Sequence, residues 1–268
     1  MFEFGHDQAA GLRSAALPVS EVRVIPVVSL TRPAQAYELL CTLAAHLSAL
    51  RQAVVIVDGS ATEQPGQRPQ PGAHLGLLQA LQNPGIAGLE QAPQGAEWLV
   101  MPGALGLQTL LQTARVAGPE VALSRLMAPF APGVCVLVFA PAAVQAGLFG
   151  GLGARALVPV LDRTQSTLDT YGALKRLQQG DVTPVLVPWA DGVGQSSVPL
   201  QQVVDTVTDC AQRHLGVAVD TWPQASWGRR AQVCALIATA TGATREPAPT
   251  GWPTRLVAPT HATVPQWS

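Results

Sequence analysis

Hydrophobic positions in this chain fall into two alternating kinds of run: short β-branched stretches, and longer segments where apolar residues recur every three or four positions. Residues 22–28 are of the first kind and suit a strand buried on both faces, and residues 34–50 are of the second and suit the crossover helix that follows. The alternation continues with strands predicted over 53–57, ending at Asp58, and over 98–101, 134–139, 156–161, 182–187 and 216–219. Helices are predicted over 74–81, 105–117, 120–127 behind Pro119, 167–178, 198–214 and 227–240. Residues 59–72 are rich in Gly, Pro and Gln and read as a long loop. This succession predicts an α/β fold, a mostly parallel sheet with helices on both faces. It divides the chain into a flexible opening arm over 1–20, one α/β domain over 21–242 and a disordered Pro-rich tail over 243–268.

Composition narrows the function classes. With 268 residues and a net charge of −1, the chain suits one large domain with a full core and has no electrostatic footprint for nucleic acid. Hydrophobic residues make up 48% and charged ones 12%, yet no apolar run reaches the roughly 18–20 residues of a membrane span. The start, with Glu3, His6 and Asp7, lacks the basic and apolar regions of a secretory signal, so a cytoplasmic protein is expected. Cys41, Cys135, Cys210 and Cys234 are widely spaced inside apolar segments, the pattern of reduced core thiols. The five histidines show no ligand spacing and no serine sits in a nucleophile elbow, so neither a metal centre nor a hydrolase is indicated. Gly147, Gly150, Gly151 and Gly153 precede a strand instead of following one and read as a loop. Trp222, Trp227, Trp252 and Trp267 lie in or near the C-terminal segment, the last two in the predicted tail, where exposed rings suit a partner or a membrane interface.

Ahead of the first strand the chain reads Asp7, Gln8, Ala9, Ala10, Gly11, Leu12, Arg13. Asp7 suits a helix N-cap, Gln8 carries a donor and an acceptor on a neutral side chain, and Leu12 and Arg13 follow one turn later. The pattern Asp-Gln-Ala-x-x-Leu-Arg resembles the N-terminal activator motif of the FlhG family, MinD-like regulators of bacterial flagellar number that present it to the GTPase FlhF. The order and spacing of elements over residues 21–240 is similar to that of the MinD/ParA class of deviant Walker ATPases, which implies a P-loop NTPase-like fold.

Three positions depart from that class where its nucleotide site belongs. The class has a glycine-rich phosphate loop with two lysines after the first strand; here the junction reads Val28, Ser29, Leu30, Thr31, Arg32, Pro33. A phosphate nest needs glycines to turn successive N–H groups inward and a lysine to offset the outer charge. Lys175 is the single lysine of the chain and lies elsewhere. Thr31 suits a helix N-cap, Arg32 offers a charge, and Pro33 removes an N–H from the helix start. At the end of the second strand the class reads Asp-x-Asp, and Asp58, Gly59, Ser60 keep only the first carboxylate. Phe139 stands where the class places an aspartate that helps hold magnesium, with Pro141 close behind. Residues 162–177 resemble the family's helix with Asp-Ala-Tyr-x-x-x-Lys, through Asp169, Thr170, Tyr171 and Lys175; Leu168, Tyr171, Leu174 and Leu177 form the predicted sheet-facing stripe.

The resemblance implies a regulator of flagellar number or placement that is itself no enzyme, takes no cofactor or metal, and has FlhF as its partner. Asp7, Gln8, Ala9, Leu12 and Arg13 would be its partner-binding residues: Gln8 ordering the attacking water or the phosphate contacts, Asp7 and Arg13 fixing the arm, Leu12 filling an apolar pocket. Ser29, Thr31, Arg32, Asp58, Ser60 and Phe139 would be the remnants of the nucleotide site. Without ligand energy to drive dimerisation the chain is expected to stay a monomer that ATP does not alter, recruited to the cell pole with its partner. Two alternatives are a degenerate scaffold of another polar or secretion assembly, and an atypical ATPase using Arg32 and Asp58.

Overall fold

Strand β1 (Arg23–Val28) turns Val24 and Val28 to one side of the sheet and Ile25 and Val27 to the other, all four buried. That alternation, repeated along the neighbouring strands, gives the molecule two apolar cores separated by a sheet. The structure is a computed structural model and describes residues 21–30, 33–63, 76–83, 98–190 and 198–237. The predicted arm and tail, Thr31, Arg32, Trp252 and Trp267 lie outside the described residues.

The sheet order is β3-β2-β4-β1-β5-β6-β7, with β2 (Ala53–Asp58), β3 (Leu99–Pro102), β4 (Val134–Ala140), β5 (Arg155–Leu161), β6 (Thr183–Trp189) and β7 (Asp220–Thr221). Every pairing along this path is parallel. Helices α1 (Pro33–Ala49) and α8 (Trp227–Cys234) pack Leu39, Leu43, Leu47 and Trp227 on one face. On the other face lie α2 (Leu77–Gln82), α3 (Ala104–Ala117), α4 (Pro119–Met127), α5 (Ala142–Phe149), α6 (Thr164–Gln179) and α7 (Leu200–Leu215). The predicted α/β architecture is therefore observed. Among the described residues no helix is long and apolar enough to cross a membrane.

Strand β1 meets β5 through a single register pair, Val27↔Leu157. Pro26 and Pro159 lie in these two inner strands, and each lacks the N–H that a ladder uses. Side chains take over part of that work. Thr170 Oγ1 on α6 donates to Pro159 O (3.1 Å), and Gln145 on α5, fully buried, donates Nε2 to Val27 O (2.9 Å) and Val138 O (2.7 Å). Gln145 thus ties the ends of β1 and β4 together from above the sheet.

The structure departs from the sequence expectation in five places. Helix α5 occupies part of the region read as loop, with Gly147 inside it; its Ala- and Gly-rich sequence has no polar face to mark a helical period. Helix α6 begins at Thr164 and rotates Leu168 outward, 67% exposed, while Ser166 and Thr170 are buried. Their hydroxyls accept from Leu161 N (2.8 Å) and donate to Pro159 O, so hydrogen bonding to β5 fixes the helix register. The last parallel strand lies at 220–221 and not 216–219, because Gly216 (φ 68°) ends α7 in a left-handed turn and the next residues cross to β6. Helix α8 stops at Cys234; Ala235 is extended, and β8 (Leu236–Ile237) pairs antiparallel with the start of β1. Of the four free cysteines only Cys135 is a core thiol, pushed up to about 12 by burial against the opposing effect of Arg23. Trp222 and Trp227 are buried, with Trp222 Nε1 donating to Asp220 Oδ2 (2.8 Å) and Trp227 Nε1 to Trp222 O (2.8 Å).

Replacing Gln145 by Leu, close in size but without a donor, is expected to lower the unfolding free energy by about 1–3 kcal/mol. Urea unfolding reads this as a lower midpoint at unchanged slope; an unmoved midpoint would show that the amide clamp contributes nothing.

Candidate functional site

In an open parallel sheet, the crevice beyond the carboxyl ends of strands that feed helices on opposite faces is where ligands bind. Here β1 leads to α1 on one face and β4 leads to α5 on the other, so the crevice lies beyond Val28 and Ala140. Ser29 N donates to Ala140 O (2.9 Å), extending the β1–β4 ladder into it. The register Val27↔Phe139 and Asp58↔Phe139 brings Ser29, Asp58, Ser60 and Phe139 to one edge. Four of the six residues read as nucleotide-site remnants therefore meet in space. Thr31 and Arg32, like Asp7, Gln8, Ala9, Leu12 and Arg13, lie outside the described residues.

Asp58 ends β2 with 9% of its surface exposed. Its Oδ1 accepts from Ser60 N (2.9 Å) and Ser60 Oγ (2.6 Å), a local turn that serine's short hydroxyl closes. Its backbone O accepts from Ala61 N (3.2 Å) and Gly103 N (2.9 Å), joining the ends of β2 and β3. Gly59 allows the close passage of this turn over β4: its N–H donates to Phe139 O (2.8 Å), and a Cβ there would stand 2.8 Å from that same oxygen. Ser60, two residues beyond Asp58, thus serves that carboxylate through both its N–H and its hydroxyl.

Phe139 is fully buried and meets Tyr37 of α1 edge-on, ring centroids 5.9 Å apart. It belongs to the core beneath α1 with Leu39, Leu40 and Leu137. The Tyr37 hydroxyl is held above its ordinary range, by burial first and then by the neighbouring charges of Cys41 and Asp58. Cys41 is raised as well, by burial and by Glu38. The carboxyl ends of β2 and β4 therefore carry one carboxylate, Asp58, with the Tyr37 phenol close enough to feel its charge and the Phe139 ring buried beneath α1.

Glu63 lies in a stretch read only as loop, and no spacing or motif singles it out. It is 6% exposed, and its carboxylate accepts from Leu78 N (2.9 Å) and Gly106 N (3.0 Å) through Oε1 and from Leu105 N through Oε2. One side chain thus caps the first turns of α2 and α3 together, filling helix N-termini that otherwise attract anions. Gly76 makes room for it, since a Cβ there would lie 2.7 Å from Glu63 Cγ. Among the described residues no group of three or more His, Cys, Asp or Glu side chains could hold a metal ion.

Comparison with known proteins returns likenesses of fold. The chain is similar to apo McdA of Cyanothece at 17% identity, covering 78% of this chain and 90% of that one with a TM-score of 0.46. It is similar to the MinC:MinD cell division protein complex of Aquifex aeolicus (14% identity, 79% and 86% covered, TM-score 0.43). A third likeness is to a ParA family ATPase from Chlorobium tepidum (12% identity, 80% and 90% covered, TM-score 0.44). No protein-family model and no curated protein matches the chain.

Glu63→Ala removes three acceptor contacts from two helix starts and is expected to cost about 2–3 kcal/mol of stability. Amide exchange in the first turns of α2 and α3 should accelerate more than elsewhere; uniform acceleration, or none, would contradict the shared-cap role.

Proposed function

We propose that this chain is a nucleotide-independent, MinD-like regulator of flagellar number or placement, and that segment 1–20 works by binding and stimulating the GTPase FlhF. The observation that carries the reading of the body is Phe139, fully buried against Tyr37 at the position where the MinD/ParA class keeps a magnesium-associated aspartate. A phenyl ring offers no oxygen to a cation. Around it, Asp58 Oδ1 is taken by Ser60, and the junction from Val28 to Pro33 has neither glycine nor lysine. On this reading the body does not hydrolyse nucleotide and serves to carry the arm.

The arm is supported by its sequence. Asp7, Gln8, Ala9, Leu12 and Arg13 keep the Asp-Gln-Ala-x-x-Leu-Arg pattern of the FlhG activator motif. Phosphoryl transfer depends on positioning and electrostatics, so one polar side chain supplied in trans changes its rate strongly. Gln8 takes that role, Asp7 and Arg13 fix the arm by capping and charge pairing, and Leu12 anchors it in an apolar pocket. The protein then acts in the cytoplasm and reaches the cell pole with FlhF.

GTP turnover by purified FlhF should rise on adding this chain or a peptide of residues 1–20. Gln8→Ala is expected to remove about tenfold or more of that stimulation, while leaving the unfolding midpoint of the chain unchanged. Absence of stimulation by both chain and peptide would sink the reading.

A further inference from the structure

β1 begins at Arg23, where β8 pairs with it through Arg23↔Ile237 and Val24↔Leu236. Segment 1–20 therefore joins the body beside the end of α8 and, two strands away in the sheet order, beside the turn that leads from α1 into β2. At this corner Leu50 is 42% exposed and Val233 85%. Gly228 brings their helices together, since a Cβ there would stand 3.2 Å from Leu50 Cδ1.

Two cations accompany these apolar side chains. Arg229, one turn before Val233, and Arg51, next to Leu50, are both exposed, and neither guanidinium has an ion-pair partner among the described residues. Arg51 closes α1 in the left-handed region (φ 59°), its N–H donating to Ser48 O (2.8 Å) while Gln52 N donates to Leu47 O (3.1 Å). Glycine is the common residue at such a stop, so a long cation stands there against local preference. Beside it lies a depression of about 520 Å³ lined by Ala45, Ser48, Ala49, Arg51, Gln52 and Ala53.

The complement of this surface lies at the start of the chain. Residues 1–7 read Met-Phe-Glu-Phe-Gly-His-Asp, with two aromatic rings, two carboxylates and no lysine or arginine. Fifteen residues separate Asp7 from Arg23, and extended they reach about 50 Å. Val233 is only four residues from Ile237, the register partner of Arg23.

We propose that residues 1–7 dock back on this corner, with a phenylalanine ring in the depression and Glu3 and Asp7 set against Arg51 and Arg229. Exposed charge pairs are individually weak, and the short tether makes up for this by raising the effective concentration of the segment. A second copy's body is a poor occupant, because a twofold contact would set these arginines against each other. The consequence rests on the activator reading above: a docked Asp7 keeps Gln8 from the partner GTPase until the partner displaces the arm.

The test is a paramagnetic tag on the amino group of Met1 in the full chain, read as broadening of backbone amide signals. Broadening centred on Leu50, Arg51 and Val233 is expected, and Arg51→Gly with Arg229→Gln should reduce it about threefold or more. Glycine suits the left-handed stop, so the unfolding midpoint of that variant should hold. Phe2→Ser with Phe4→Ser, which alters only the arm, should release it equally and decides the matter if the arginine variant misfolds. The proposal is overturned by broadening spread evenly over the body, by broadening that a folded variant leaves unchanged, or by broadening passed from a tagged chain to an untagged one. With FlhF, the arginine variant should reach half-maximal stimulation at an about threefold lower concentration. Because docking is read without FlhF, absent stimulation would count against the activator reading and not against the docked arm.

Discussion

Everything at the carboxyl edge of this protein depends on β4 being clamped in register between β1 and β2. All seven of its residues are buried, and six register pairs join it to each neighbour. Parallel strands carry their side chains alternately to two cores, so a slip of one residue would exchange the entire apolar set of β4 between α1 and α5. The register that buries Val136 and Val138 beneath α5 is the same one that sends Phe139 under α1 and stops Asp58 beside it. Gln145 enforces the arrangement by bonding carbonyls of both β1 and β4. Packing and site geometry are here a single constraint.

The parts of the fold that were legible in the sequence are those whose burial writes a pattern into neighbouring residues. β1, β2 and β4 are runs of Val, Ile and Leu, and buried on both faces they show as such. Helix α5 left no such trace, because a helix enclosed by α3, α4, α6 and the sheet needs no polar stripe. β7 and β8 are two residues each and exist only through their partners β6 and β1, which local propensity does not encode. Leu168 was misplaced because hydroxyls of Ser166 and Thr170 outweigh a leucine in choosing the buried face of α6.

The site shows the same division. Asp58, Ser60 and Phe139 could be placed from their positions at strand ends, and they do converge. Glu63 could not: its acceptor contacts reach residues 78, 105 and 106, and no spacing rule connects a loop carboxylate to backbone N–H groups so distant. Glu63 fills the helix starts that follow β2 and β3, and Phe139 fills the core beneath α1 at the end of β4.

The central claim is that the body has no use for nucleotide, and thermal unfolding with and without magnesium and ATP tests it most directly. A ligand at one hundred times its dissociation constant stabilises the folded state by about 2.7 kcal/mol, a shift of several degrees that is easily read. The unfolding temperature is expected to stay put at every ATP concentration. A rise that grows with ATP and vanishes in Asp58→Asn would mean that Asp58 still serves a nucleotide, and the reading of the site would have to be reversed.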